Sequence, residues 1–576
     1  MVENRSAWQP GLQPDIPAEF RALETIYRPE NVSTRLVDVD EIAAQTGLSH
    51  EDLVVFKPER LALHELIIRI TADVVVQEGS DESALGRNFR RIANYLITRH
   101  LHPRLEEITR TYTVLHDTVY PAVRQALSQT LFNPPPARPA PKPAWLCFWR
   151  RNANPPAYGE SIQEREHRAI TQFRAIGLST PDSLNAAIHK GLYRVLSTIS
   201  GNRGYLGPDL ELLTRLVGNH VCNRLGSEQI GTLIAPWIET ALREAGYPRI
   251  PNTERPVLIS LKGASAAGKS SLRPMLKRMM EERGIHTDGY ATISPDIWRR
   301  LLLDYEALGD AYLYAGRLTS HEVIIIDGKL DRYIRSKAER YGAMPHLLVD
   351  RFRFDSFSTE RISRVLHGTY VKHVDTLYMY FVVTPPHATV ERGWERGLQT
   401  GRYKAVEDFL DHSVEAYTGM PKILFKWLAY DRPLFRYEFL DNSVPKGTFP
   451  RCIARGTQHE INIMDCSVLV DIERYQKINI KARNPDEVYL SGSVSSVAGN
   501  TGFLNQCIAR IPTVNFIDPE TNAVYLRVDN GTFTVVDKEA FAKTLENRER
   551  HEIFSVIAPE ITAQITALSA TAPSSR

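Results

Sequence analysis

Two glycines, a lysine and a serine stand in this sequence at a spacing that suits phosphate binding. The segment GASAAGKSS fits the pattern G-x-x-x-x-G-K-S. Glycines let successive backbone N–H groups turn toward phosphate oxygens, the lysine reaches the β- and γ-phosphates, and the hydroxyl ligates Mg²⁺. The predicted cofactor-binding residues, for ATP with Mg²⁺, are Gly263, Ala264, Ser265, Ala266, Ala267, Gly268, Lys269, Ser270 and Ser271. Lys269 is also predicted to be catalytic, and Ser270 to ligate the metal.

The residues on either side favour this prediction over an ordinary surface glycine turn. The apolar run VLISL precedes the segment and reads as a buried strand, and SLRPMLKRMMEERG follows it with helical spacing of apolar residues. Strand, loop and helix therefore come in the order that a phosphate-binding loop requires.

A carboxylate is predicted at the end of the next strand. The strand pattern at 290–293 ends in Ser-Pro-Asp, which places Asp296 at the carboxyl edge of the sheet beside the phosphate loop. There Asp296 is predicted to accept the proton of a substrate hydroxyl, and capping of the helix that follows is the alternative. Arg299, one turn further on, is predicted to bind an anionic group of the substrate, with a surface ion pair as the alternative.

Two further arginines suit a lid that closes over phosphates. Arg392 and Arg396 lie four residues apart in a helical pattern after the strand-ending TPP, so they share one face of the helix. On such a lid the guanidinium groups stabilise the charge of a transferring phosphoryl group. A solvated basic face, with Glu391 and Glu395 as partners, is the alternative.

Two aspartates are candidates for the second protein ligand of Mg²⁺. Asp327 and Asp350 both follow apolar runs, VIIID and HLLVD. The residues around Asp327 have helical spacing over 319–342, whereas HLLVD reads as a strand. Asp350 is therefore the predicted metal ligand, and Asp327 remains the alternative.

The chain is expected to divide into five segments. Residues 1–132 and 157–250 have helical spacing, and the proline-rich 133–156 is typical of a semi-rigid linker. In 251–455 short strand patterns alternate with helical ones, as in an α/β core built on a parallel sheet with flanking helices. Residues 456–576 include a hairpin around Asn-Gly. The predicted architecture is this α/β core, a large N-terminal all-α region and a small C-terminal α+β region.

Composition narrows the class of protein. The 576 residues are 43% hydrophobic and 24% charged with a net charge of +2, which disfavours nucleic acid as a partner. The five cysteines form no CxxC pair, and this argues against a disulfide framework or a zinc site. Without a secretory signal or an apolar run of ~18 residues, the chain is predicted to be cytoplasmic with no membrane span. Translocation into a host cell by a specialised secretion system stays open.

The order GASAAGKSS, SPDIWR, TPPHATVERGWERGLQTGRY and FLDNS resembles the zeta-toxin family of P-loop kinases, within the polynucleotide-kinase-like group. In that family an Asp-x-Phe-Arg element supplies the general base, and Asp296-Ile297-Trp298-Arg299 is similar to it. The family's lid carries Arg-x-x-x-Arg followed by Gly-Arg, as TVERGWERGLQTGRY does. The resemblance spans residues 257–455 and implies a P-loop kinase fold, ATP and Mg²⁺.

The sequence also departs from that family. Leu302-Leu303 stands where the family has His-Pro, and the acidic-Thr-Thr strand that helps bind a nucleotide-sugar has no clear counterpart. The large flanking regions are closer to a zeta-like branch of secreted effectors that phosphorylate the adenosine ribose of NAD.

The predicted function is an ATP-dependent kinase that phosphorylates a hydroxyl of a nucleotide-containing metabolite, a nucleotide-sugar or NAD, and acts as a bacterial toxin or effector. Lys269, Asp296, Arg392 and Arg396 are its predicted catalytic residues. A protein partner (antitoxin, chaperone or host protein) is expected at the helical N-terminal region. The alternatives are a polynucleotide 5′-hydroxyl kinase and a non-catalytic, nucleotide-gated scaffold.

Overall fold

A computed structural model describes residues 5–79, 83–132, 161–350, 372–445 and 448–571. The predicted proline-rich linker at 133–156 lies outside these ranges. By their contacts the residues group into two compact units. The helical unit comprises Arg21–Ile67 and Ala93–Ala245, and the sheet unit comprises Met1–Phe20, Ile68–Ile92 and Gly246–Arg576. The five-segment division made from the sequence stays a prediction.

Twenty α-helices are described, and short 3₁₀ or π turns adjoin several of them. The first thirteen are α1 (Leu36–Thr46), α2 (His50–Leu53), α3 (Pro58–Asp73), α4 (Ala84–Leu96), α5 (Leu105–Leu127), α6 (Ile162–Ser179), α7 (Ser183–Arg203), α8 (Leu210–Val221), α9 (Ser227–Glu244), α10 (Arg273–Glu282), α11 (Arg299–Leu302), α12 (Ala315–Leu318) and α13 (Ser320–Tyr341). The others are α14 (Pro386–Thr400), α15 (Val406–Leu428), α16 (Cys466–Arg474), α17 (Gly502–Arg510), α18 (Lys538–Leu545), α19 (Arg548–Ile557) and α20 (Pro559–Thr571).

The helical unit is held by apolar stripes on its helices. In α5 the residues Ile108, Leu115 and Val119 recur at helical spacing and are buried. Gly218 of α8 lies against Tyr120 of α5, and a methyl group at Gly218 would come within 2.8 Å of that ring. The glycine therefore lets these two helices approach closely.

Ten strands of the sheet unit form one sheet. They are β1 (Val257–Gly263), β2 (Tyr290–Ile293), β3 (His346–Asp350), β4 (Thr376–Val383), β5 (Leu434–Asp441), β6 (Arg451–Thr457), β7 (Glu460–Ile463), β8 (Thr513–Ile517), β9 (Val524–Asp529) and β10 (Thr532–Val535). Their order across the sheet is β10-β9-β8-β7-β6-β5-β4-β1-β3-β2. The expectation of an α/β core is confirmed in that helices and a largely continuous sheet make up this unit, although the sheet as a whole contains both parallel and antiparallel pairs.

The first five strands in the chain are parallel to one another. β1 pairs with β3 on one side and β4 on the other, β2 joins β3, and β5 joins β4. Most of them carry apolar runs, and helices connect β1 to β2, β2 to β3 and β4 to β5, which is how a parallel sheet buries both faces. Their carboxyl ends meet at one edge of the sheet, where parallel α/β sheets bind ligands.

The later strands continue the same sheet. β6 pairs with β5 in antiparallel register, and β7 to β10 follow outward from it. The predicted segment boundary after residue 455 therefore falls inside β6. The predicted hairpin is formed by β9 and β10, and its turn residues Asn530 and Gly531 have φ of 47° and 83°. Positive φ at both turn positions matches the twist of the strands, which explains Asn-Gly there.

Across the described ranges, every helix is too short or too polar to cross a lipid bilayer.

Candidate active site

The phosphate loop connects β1 to α10. A short 3₁₀ turn, Ser270–Leu272, starts the helical segment, and Pro274 lies in the first turn of α10, where an N–H is not needed. Gly263 ends β1 so close to β4 that a methyl group would lie 3.0 Å from the carbonyl oxygen of Val382. Gly268 has φ of 89°, a left-handed conformation that favours glycine. Both glycines of the sequence pattern are thus explained by backbone geometry.

The Lys269 side chain lies along its own loop. Its Nζ donates to the carbonyl oxygens of Gly263 at 3.0 Å and Ala264 at 2.8 Å. Burial lowers the pKa of Lys269 to about 8, and the nearby charge of Asp350 only partly opposes this. An anion beside the ammonium group would favour its charged form, as a phosphate-binding lysine requires.

The two predicted metal ligands lie side by side. The Ser270 hydroxyl donates to Asp350 at 3.4 Å, and Asp350 ends β3, the strand next to β1. Arg273 of α10 contacts the same carboxylate at 3.5 Å and donates to the Ser294 hydroxyl at 3.0 Å. Asp327 lies on α13, within the predicted helix. A hydroxyl and a carboxylate are oxygen donors of the kind that Mg²⁺ uses, and this geometry favours Asp350 over Asp327.

Asp296 lies just past the end of β2, in a short 3₁₀ turn. Its Oδ1 accepts from Nε of Arg299 at 2.9 Å, and its Oδ2 accepts from Arg402. Its side chain is 43% exposed and lines the cleft above the phosphate loop. Neither that turn nor α11, which follows, has a side-chain N-cap, so the capping alternative is not what the structure shows.

The charges around Asp296 act on its protonation in opposite directions. Partial burial raises the pKa of this carboxyl, but the guanidinium groups of Arg402 and Arg299 outweigh that effect and hold the pKa well below its usual range. Asp296 is therefore ionised throughout the neutral range.

Arg299 is directed at the protein, with a side chain only 13% exposed. Besides Asp296, its guanidinium donates to the carbonyl oxygen of Gly316 at 2.5 Å and the hydroxyl of Thr319 at 2.8 Å. The predicted contact with a substrate anion is not favoured by this arrangement, which instead makes Arg299 a residue that orients Asp296.

The lid prediction places Arg392 and Arg396 on α14, and both line the cleft. Arg392 also donates to the carbonyl oxygen of Val444 at 2.9 Å. Arg402, which follows the helix, lines the cleft as well. Arg402 is the arginine of the Gly-Arg pair in the family pattern, and no role was assigned to it from the sequence. Its contact with Asp296 makes it part of the site.

The cleft is lined by the loop, by Asp296 and by these arginines, and it encloses about 380 Å³. Glu391 and Glu395 line it too, although both are exposed to solvent. Of the predicted cofactor-binding residues, those from Ser265 to Ser271 line this cleft. Gly263 and Ala264 accept hydrogen bonds from Lys269 through their carbonyl oxygens. Asp350 and Arg299 are not part of the cleft lining, but they contact Ser270 and Asp296, which are.

Two residues of the site lie in the quoted segments TPPHATV and FLDNS but were given no role from the sequence. Thr384 Oγ1 and Asn442 Nδ2 donate to the carbonyl oxygen of Ala267 at 3.0 Å and 2.8 Å. They follow β4 and β5, the two strands beyond β1. Polar residues at the carboxyl ends of neighbouring strands were the available signal.

No protein-family model and no curated protein matches the chain. Among solved structures, the native AvrRxo1-ORF1:AvrRxo1-ORF2 complex matches at 12% identity and a TM-score of 0.28, over 38% of this chain and 63% of that chain. The same complex with ATP matches at 14% identity and 0.29, over 38% and 64%. The PezAT chromosomal toxin–antitoxin system of Streptococcus pneumoniae matches at 13% identity and 0.25, over 36% and 74%. The chain spans less than two thirds of the AvrRxo1 chains, and likeness at these TM-scores does not establish a shared fold.

Proposed function

We propose that the sheet unit is an ATP-dependent kinase that transfers the γ-phosphate to a hydroxyl of a nucleotide-containing metabolite, a nucleotide-sugar or NAD. One observation supports this most strongly: the phosphate loop, Asp296 and three arginines line the same cleft. A triphosphate needs backbone donors and cations, and an acceptor hydroxyl needs a proton acceptor beside them. The cleft has both.

On the nucleotide side, the loop N–H groups and Lys269 would bind the phosphates. Ser270 and Asp350 would hold Mg²⁺, which when bound neutralises charge on the phosphate oxygens. The 3.4 Å between the Ser270 and Asp350 oxygens is compatible with two ligands of one small cation.

On the acceptor side, Asp296 would take the proton of the attacking hydroxyl. Phosphoryl transfer passes through a loose transition state, so the position of this carboxylate matters more than a high pKa. Arg299 fixes one of its oxygens, and Arg402 reaches both the other oxygen and the cleft. Arg392 and Arg396 would stabilise the charge of the transferring group from the lid.

The acceptor and the biological role are proposed from the family resemblance. A nucleotide-containing acceptor has anionic phosphates of its own, which the arginine-lined cleft can accommodate. Depletion of such a metabolite would make the protein a toxin or a translocated effector. A protein partner at the helical N-terminal region, such as an antitoxin, is part of this proposal.

The test is incubation with Mg²⁺-ATP and a metabolite extract, followed by mass spectrometry for a product heavier by one phosphoryl group. Lys269→Ala should abolish the product. Lys277→Ala, which removes a lysine of α10 outside the cleft lining, is the matched control and should leave it.

Three results would contradict the proposal. Product from Lys269→Ala at the wild-type rate would mean that the loop does not supply the catalysis. Transfer to oligonucleotides but to no small metabolite would favour the polynucleotide 5′-hydroxyl kinase. ATP binding without any product would favour the nucleotide-gated scaffold.

A further inference from the structure

The peptide group between Ala267 and Gly268 is the most firmly held part of the phosphate loop. Its carbonyl oxygen accepts two hydrogen bonds, from the Thr384 hydroxyl at 3.0 Å and from the Asn442 amide at 2.8 Å. Both donors are buried, with 0% and 7% of their surface exposed. Neither belongs to the G-x-x-x-x-G-K-S pattern.

These two bonds fix the direction of an N–H group. A peptide group is planar and trans, so its C=O and N–H point in opposite directions. Because the Ala267 oxygen is turned toward Thr384 and Asn442, the Gly268 N–H is turned the other way. Both Ala267 and Gly268 line the cleft. Rotation of this one peptide would replace a donor with a carbonyl oxygen, which repels phosphate.

The loop backbone does not favour this orientation by itself. Ala266, just before this peptide, has φ of 60°, which costs free energy in a residue with a side chain. A methyl group on Gly268 would lie 2.3 Å from the Asn442 Nδ2 atom, so the amide fills the space that the glycine leaves. Asn442 and Gly268 therefore fit together, and side-chain hydrogen bonds stabilise the conformation.

The two donors are themselves anchored in the sheet. The Tyr417 hydroxyl accepts from the Thr384 N–H at 2.8 Å and donates to the Thr384 carbonyl oxygen at 2.5 Å. The Asn442 N–H donates to the carbonyl oxygen of Val383 at 2.8 Å. Tyr417 is fully buried on α15.

We infer that Asn442 and Thr384 are positioning residues of the nucleotide site, which set the Ala267–Gly268 peptide so that its N–H faces a bound phosphate. This inference rests on the proposed binding of ATP to the loop. It adds two residues from the ends of β4 and β5 to a site that the loop pattern assigns to one segment of the chain.

The test compares the affinities of the full-length protein for ATP and for adenosine by calorimetry. Asn442→Asp keeps the shape of the side chain but replaces the donor with a carboxylate that repels the Ala267 oxygen. Thr384→Val removes the hydroxyl in an isosteric side chain. When the Gly268 N–H no longer faces the phosphate, a hydrogen bond to a charged group is lost, so ATP affinity should fall roughly 10- to 100-fold for Asn442→Asp and by less for Thr384→Val. Because Asn442 lines the cleft, the new carboxylate also repels the phosphates directly, and the uncharged Thr384→Val isolates the effect of the lost positioning bond. Adenosine, which lacks phosphates, should bind unchanged.

Two controls separate positioning from general damage. Thr384→Ser restores the hydroxyl and should recover most of the ATP affinity. Asn515→Ala removes another buried asparagine of the sheet, which donates to Asn462 at 3.0 Å and accepts from Arg527 at 2.9 Å, and should lower the melting temperature with ATP affinity unchanged.

The outcomes keep this inference distinct from the proposed function. If wild-type protein binds no ATP, the proposed function fails. If wild type binds ATP and both Asn442→Asp and Thr384→Val bind it as tightly, the positioning role is overturned. Equal losses for ATP and adenosine would also overturn it, because they would indicate a structural effect. If Asn442→Asp does not fold, the Thr384→Val and Thr384→Ser pair decides.

Discussion

The two sides of the cleft are built in different ways. On the nucleotide side the backbone supplies most of the binding groups. The glycines, the N–H groups and the Ala267–Gly268 peptide all come from one short loop between β1 and α10. On the acceptor side, side chains from distant segments meet. Asp296 follows β2, and its partner Arg402 lies 106 residues further along the chain.

This difference has a physical consequence for specificity. A backbone site recognises the phosphate group, which every nucleotide shares, and does not distinguish one nucleotide from another. An ion-paired side-chain site depends on individual charged residues. Removal of any one of them changes the pKa of its partner and the shape of the site. The nucleotide side should therefore be general in the nucleotides that it accepts, and the acceptor side should be specific for its substrate.

The largest expected effect comes from the acceptor carboxylate. Asp296→Asn should lower kcat by about 10²- to 10⁴-fold, because the proton acceptor is lost, while ATP affinity stays within a few-fold. Rapid-quench kinetics and ATP titration measure the two quantities. Asp288→Asn, at an exposed position shortly before β2, is the control and should behave as wild type. A kcat within tenfold of wild type would remove Asp296 from the chemistry.

The second effect is on pH dependence. Arg402 helps to hold the pKa of Asp296 below its usual range, so Arg402→Gln should raise it. Because protonated Asp296 cannot accept a proton, activity should then be lost at a higher pH, with the acid limb of kcat/KM moved up by about one pH unit. A pH–rate profile checks this.

The control for that profile is Arg340→Gln, at an exposed arginine of α13, which should leave the limb in place. A limb that stays fixed in Arg402→Gln would mean that a group other than Asp296 sets it.

The third effect is on the packing that supports the lid. A methyl group at Gly393 would lie 2.1 Å from the buried Phe409 ring, so Gly393→Ala should destabilise the protein by about 1–3 kcal/mol. Gly328→Ala on α13, where the nearest atom would lie 3.9 Å away, should be neutral or stabilising by roughly 0.5–1 kcal/mol. Urea unfolding measures both. Equal stabilities for the two variants would contradict the packing of α14 on α15.

The smallest effect is a proton linked to nucleotide binding. Burial lowers the pKa of Lys269 to about 8, and a bound phosphate should raise it again. At pH values above about 8, ATP binding should therefore take up a fraction of a proton, and affinity should weaken as pH rises. Calorimetry in two buffers of different ionisation enthalpy detects the uptake. An enthalpy independent of buffer there would contradict the role of Lys269.

Local patterns made much of the nucleotide side predictable. The strand at 290–293, the helix that contains Asp327 and the strand that ends at Asp350 all follow from the spacing of apolar residues, and the structure has them at those places. The loop pattern requires glycine where the backbone turns or packs closely, and the structure meets both requirements at Gly268 and Gly263.

The rest could not be predicted because it depends on which distant side chains meet. Thr384 and Asn442 lie 117 and 175 residues beyond the carbonyl oxygen that they hold. Arg299 was expected to face a substrate anion, and only the folded positions of Gly316 and Thr319 show that protein acceptors surround it. The spacing of apolar residues along the chain indicates helices and strands, but it does not show which distant side chains come into contact.

The continuity of the sheet through β6 limits how this protein can be divided. A shorter protein that stopped at 455 would keep most of β6 paired with β5 but would lose β7, so the outer side of β6 would have unpaired N–H and C=O groups, open to association with another chain. It would also uncover Phe439, whose ring packs 5.8 Å from that of Phe503 on α17. Any fragment meant to behave as a well-dispersed monomer must therefore retain the strands as far as β10.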